Sequence, residues 1–147
     1  MDYLSAYVYP SYINEPERYN FYNISYMKEE ILNKTTLSQH QGIFYFILEN
    51  EEQEKNNIIR FKFNKKYYPE IDLSVAAFKE RPSVEAELKK PVSHEEPSFK
   101  SLTRDKDYTI YEYLINNSVI NKQKYLVIGV RIVESLDFMS FYLGPES

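Results

Sequence analysis

The chain contains no cysteine and no tryptophan, and glycine occurs three times in 147 residues. The first absence rules out disulfides, thiolate metal sites and a cysteine nucleophile together. Excess positive charge is also lacking: the net charge is -4 and the isoelectric point lies near 5.3. Without a broad basic field, nucleic acid is not expected as a main partner, because phosphate contacts dominate such affinity. No apolar run approaches the roughly 20 residues that span a bilayer, and no basic region followed by an apolar one opens the chain. The expectation is that the protein works inside the cell or that the chain is a piece of a longer protein of the cell surface or exterior.

Catalytic signatures are missing as well. The sequence has no HExxH spacing, no GxSxG elbow, no GxxxxGK[ST] loop and no GxGxxG turn. Its two histidines, His40 and His94, sit apart in polar surroundings and read as exposed loop residues. Glu49, Glu51, Glu52 and Glu54 cluster without the Asp and Gly turns that calcium loops use, and read as a solvated loop. No cofactor is expected.

What the chain does have is strand-forming residues. Fifteen Tyr and nine Phe bring aromatics to 16%, and such side chains suit pleated, half-buried surfaces. Tyr3 to Tyr9 alternates as a strand does, and further strands are expected within Arg18 to Met27 and around Glu29 to Asn33. Gly42 to Leu48 is apolar on both faces, the pattern of a strand covered from two sides. Ile58 to Phe63 alternates Ile59, Phe61 and Phe63 with Arg60 and Lys62, the pattern of a strand with one wet face. Ile71 to Phe78, Tyr108 to Ile115, Tyr125 to Ile132 and Leu136 to Leu143 complete the set. Residues 79 to 107, with Pro82, Pro91 and Pro97 and many charges, read as a long charged loop, either a mobile excursion or a binding loop.

Twice an apolar run, a short polar loop and a second strand-forming run follow one another, at residues 42 to 63 and 125 to 143. Each reads as a β-hairpin. Asp2-Tyr3-Leu4-Ser5 and Ile71-Asp72-Leu73-Ser74 open comparable stretches, so residues 1 to 64 and 65 to 147 are expected to be related β units, or parts of one compact domain. The fold expected is all-β, an antiparallel β-sandwich of about eight strands.

Asp72-Leu73-Ser74-Val75, Tyr125-Leu126-Val127-Ile128-Gly129-Val130 and Phe138-Met139-Ser140-Phe141 together resemble the pre-peptidase C-terminal domain and the related GOLD-type β-sandwiches. That resemblance implies a non-catalytic accessory module of a secreted or surface protein, some of which bind calcium or glycans.

Seven of the fifteen tyrosines fall in the first 26 residues. Tyr combines a broad apolar ring with a polar tip and loses little entropy on contact, so Tyr3, Tyr7, Tyr9 and Tyr12 are the interface candidates. Asp105 and Asp107, just before a strand, are the candidate calcium ligands. Asn23, Asn33 and Asn116 head N-x-S/T triplets and are glycosylation candidates. The leading expectation is a non-enzymatic structural or protein-interaction module that meets a protein partner or neighbouring copies in an assembly or tandem array. A glycan-binding module, with or without calcium, is the alternative, and a carboxylate-dependent enzyme comes third.

Overall fold

In the computed structural model, which describes residues 21–39, 43–82 and 91–146, ten strands form two five-stranded sheets packed face to face. The strands are β1 (Phe21–Asn23), β2 (Glu30–Asn33), β3 (Ile43–Glu49), β4 (Asn57–Asn64), β5 (Ile71–Phe78), β6 (Ser93–Glu95), β7 (Ser98–Arg104), β8 (Tyr108–Ile115), β9 (Tyr125–Ile132) and β10 (Phe138–Pro145). Among the described residues helix is confined to Lys34–Gln39 and the single turn Ser118–Asn121. The first sheet runs β1-β3-β9-β5-β6 and the second β2-β10-β4-β8-β7. Apart from the parallel pair β1 and β3, neighbours are antiparallel. The protein is an all-β sandwich.

The two expected hairpins do not form. β3 lies in the first sheet and β4 in the second, and β9 and β10 are divided in the same way. Each strand, loop and strand is therefore an arch that crosses the sandwich. Both arms of an arch carry large apolar faces: Phe44, Phe46 and Leu48 on β3, and Ile59, Phe61 and Phe63 on β4. Facing each other across two sheets, such rows bury one another, whereas side by side in one sheet both rows would still need a cover. The arches pair with each other instead, β3 with β9 and β4 with β10. Strands from before and after residue 65 thus share both sheets and line one core.

Each arch is preceded by a strand of the second sheet and a short helical piece. Asn33 accepts a hydrogen bond from Thr36 N at 3.0 Å at the start of the first helix, and Asn117 accepts from Val119 N at 2.9 Å at the second. Both are N-caps, satisfying backbone N–H groups that a first helical turn leaves over. β2 pairs with β10 and β8 with β4, so the leading strand of one run lies beside the closing strand of the other.

The core is aromatic. Phe46 of the first sheet stacks on Phe141 of the second at 4.2 Å, and Phe61 meets Phe141 edge-on at 5.4 Å. Phe63 meets Tyr111 in the same manner at 5.4 Å. Tyr45, Ile47, Ala76, Phe78 and Val127, on the far side of the first sheet, are buried too, as the apolar pattern of β3 indicates. The second sheet keeps a wet outer face, where Arg60 donates to Glu112 at 2.8 Å and its guanidinium lies 5.0 Å from the Tyr142 ring.

One end of the sandwich is tied by a buried polar chain. Tyr26 Oη donates to Asn57 Oδ1 at 2.6 Å, Asn57 Nδ2 to Asn121 Oδ1 at 2.8 Å, and Asn121 Nδ2 to the Ile115 carbonyl at 2.7 Å. Asn50 Nδ2 donates to the Asn121 carbonyl at 2.7 Å, which holds the first arch against the helical turn. Buried amides of this kind are costly unless paired, and their pairing fixes the two crossings in one arrangement.

Replacing Phe141 with Ala should cost about 3–5 kcal/mol by loss of buried surface and creation of a cavity, read as a lowered urea midpoint. Burial, reinforced by the charges of Glu52 and Glu51, pushes the Tyr26 hydroxyl up from 10.0 to about 12, and burial does the same for Tyr113. The unfolded chain therefore ionises these groups first. Stability should hold below pH 10 and fall as the pH rises towards about 12, more gently in Tyr26→Phe, as followed by circular dichroism.

Candidate functional site

Residues 93–104 fall inside the stretch expected to be loop, yet they form the edge strands β6 and β7. The proline and charge content that suggests loop is compatible with an edge, where one side of the strand needs no neighbour. β7 closes the second sheet: among the described residues it pairs with β8 alone. Ser98 lies opposite Leu114 and Phe99 opposite Tyr113. A bulge at Lys100 then shifts the ladder so that Ser101 meets Glu112 and Leu102 meets Tyr111.

That bulge decides which way the apolar side chains point. Phe99 and Leu102 are three residues apart, a spacing that in a regular strand places them on opposite faces. With the extra residue between them, both lie on the core-side face, beside Tyr113 and Tyr111. The Phe99 ring stands edge-on to Tyr113 at 5.4 Å and to Tyr111 at 6.3 Å. The first sheet does not cover them. Phe99 remains 57% exposed and Leu102 44%.

The reason lies in the opposite sheet. β6 is three residues long and pairs with Val75 to Ala77, so among the described residues Ile71 to Ser74 have β9 as their one ladder partner. Between the two edges opens a cleft of about 280 Å³ lined by Ile71, Leu73, Tyr113, Pro97, Glu96 and the pair Asp72–Arg131, whose Oδ2 and Nε are 2.9 Å apart. Tyr111 is locked by donating to the Pro69 carbonyl at 3.0 Å. At the far end of β7, Arg104 donates to the Lys65 carbonyl at 3.0 Å and its guanidinium lies 4.7 Å from the ring centre of the half-exposed Tyr68. The result is an apolar strip whose backbone edge has no ladder partner among the described residues, with Arg104 at its C-terminal end.

The sequence-predicted residues lie elsewhere. Tyr3, Tyr7, Tyr9 and Tyr12 are outside the described residues, as is His40. Asp105 Oδ1 accepts from the backbone N–H groups of Asp107 at 2.8 Å and Tyr108 at 2.7 Å, the closure of the β7–β8 turn. Those two donors hold its carboxyl below the usual carboxylate range. Asn23 is exposed on the edge strand β1, Asn33 is exposed and spends its oxygen on the helix cap, and Asn116 is exposed and accepts from Asn56 at 3.3 Å. His94 belongs to β6, a strand and not a loop.

A larger cleft of about 820 Å³ lies at the other arch, between the helix Lys34–Gln39, the turn at 65–67 and the connection 133–137. Leu37, Phe44, Ile132 and Leu136 form its apolar part, and Lys66, 3.5 Å from Asp137, stands at its rim. Among the described residues no three His, Asp or Glu side chains converge to hold a metal ion, and no helix is long and apolar enough to cross a membrane. No protein-family model matches the chain, and no match is found among curated proteins.

Replacing Asp105 with Ala should destabilise the protein at neutral pH. A carboxyl whose folded pKa is depressed contributes stability above its unfolded pKa and loses it as the pH falls through the folded one. The gap between the wild type and Asp105→Ala should therefore close on acidification from pH 7, in parallel thermal melts.

Proposed function

We propose that the chain is a non-enzymatic interaction module, a β-sandwich scaffold that docks protein through the open edge of β7. The observation that carries this reading is the exposure of Phe99 and Leu102 on the core-side face of an edge strand. Edge strands are ordinarily short, twisted away or covered. An extended segment laid along β7 would gain ladder hydrogen bonds and bury both side chains, a recognition mode in which the backbone gives affinity and side-chain pockets give specificity. Covering what remains exposed of each is worth about 1–2 kcal/mol, since fully burying such a side chain is worth about 1.5–3 kcal/mol. The basic end of the strip, with Arg104, favours a segment bearing carboxylate at the corresponding position. A glycan-binding reading has less behind it: Tyr68, the exposed ring beside the strip, already has the Arg104 guanidinium stacked over it.

The test uses the wild type and a Phe99→Glu/Leu102→Glu variant as paired baits in extract of the source cells, after matching their circular dichroism spectra. The wild type should retain protein, a different one or further copies of itself, that the variant loses. Identical retained sets would sink the proposal.

A further inference from the structure

We infer that the segment β7 accepts is β7 of a second copy, paired antiparallel across a two-fold axis that passes between Lys100 and Ser101. This rests on the reading of β7 as an interaction edge and adds the partner and the register. In a two-fold pair of identical antiparallel strands, choosing the axis fixes every opposition. With the axis at this point, Phe99 lies opposite the second copy's Leu102 and Ser98 opposite its Thr103. Phe99 and Leu102 share the core-side face, while Ser98 and Thr103 share the outer one, opposite Leu114 and Ile110 of β8. The two apolar residues of each edge therefore meet, and so do two small hydroxyl residues.

Two neighbouring registers fail on the same information. Moving the axis by half a residue towards the C-terminus sets Phe99 opposite Thr103, a core-side residue against an outer-face one, and a one-residue slip of this kind is what a half-buried strand resists. Centring on Leu102 sets Lys100 opposite Arg104, like charge against like. Within β7, Ser98 to Arg104, the proposed register opposes no like charges, and the pair Asp105 and Glu96 falls beyond the ladder. Arg104 faces the second copy's Pro97 beside the exposed Glu96, so the basic end of each strand meets the acidic lead-in of the other.

A bulge and an edge lysine usually guard against strand pairing. Here they select one pairing. A bulged strand ordinarily presents two residues to one, but two bulges facing each other across the axis oppose Lys100–Ser101 to Ser101–Lys100 and leave no residue over. Lys100 is also drawn back over its own sheet, its Nζ lying 3.3 Å from Glu146, beyond β10. Since β8 and β4 stand between β7 and β10, that contact pulls the ammonium away from the free edge. Pairing of this kind joins two second sheets into one continuous ten-stranded sheet and buries both apolar strips.

The absence of native cysteine makes the register directly readable. Ser98→Cys and Thr103→Cys chains, both altered at exposed positions, would be oxidised separately and as a mixture. Directly opposed antiparallel residues have Cβ atoms about 4.5–5.5 Å apart, within disulfide reach after small adjustment, whereas the two Ser98 positions of a dimer would be about 16 Å apart along the strands. The mixture should give a disulfide-linked heterodimer at ten-fold or greater yield over either chain alone. Wild type should sediment as a concentration-dependent dimer and Leu102→Glu as a folded monomer. Equal cross-linking of the single chains, or a wild-type monomer at every concentration, overturns the pairing. If such a monomer still out-retains the doubly substituted bait, β7 stands as an interaction edge for a different protein; if the baits also match, both readings fall.

Discussion

Phe46 on Phe141, ring against ring at 4.2 Å, is the contact on which the sandwich depends. It joins the first arm of one arch to the second arm of the other, so it exists only when both arches cross between the sheets and lie together. Phe61 braces it from the side. Dense aromatic rows on both arms make the crossed arrangement favourable, because two apolar faces that look at each other are both removed from water. The buried asparagine chain at the end of the sandwich adds specificity in place of bulk: it leaves amide groups unpaired in any other crossing.

The same economy explains the uneven edges. The middle of each sheet is occupied by the arches, and the remaining strands are added outward from them. On one side the addition is unequal, with three-residue β6 against seven-residue β7. The second sheet therefore overhangs the first. Phe99 and Leu102 are core-side residues at a place where the core has run out of cover, which is why an apolar strip and a backbone edge unpaired among the described residues coincide there.

Much of the strand content is legible in the sequence. β5, β8 and β9 have the bounds that their runs of strand-forming residues indicate, and the one-sided and two-sided burial of β4 and β3 follows from Arg60 and Lys62 in one and their lack in the other. The edge was not legible. Phe99 and Leu102 three apart fit no strand face until a bulge is inserted, and the prolines and charges around them resemble a loop. Asp105 shows the converse: an acidic residue before a strand suggests a ligand, but its oxygen is spent on closing a turn. The hairpin reading of the two arches fails because a short polar loop between strands permits both a return within a sheet and a crossing between sheets.

The sequence by itself determined that this protein would be an all-β sandwich, because periodicity and residue shape act within a few residues and need no partner. Which strands lie side by side was decided by tertiary structure alone. Pairing is settled by the mutual burial of faces from segments some 80 residues apart, β3 with β9 and β4 with β10, and no local pattern encodes that choice. For the same reason the candidate interface emerges only in the folded chain: its exposure is set by how far the other sheet extends.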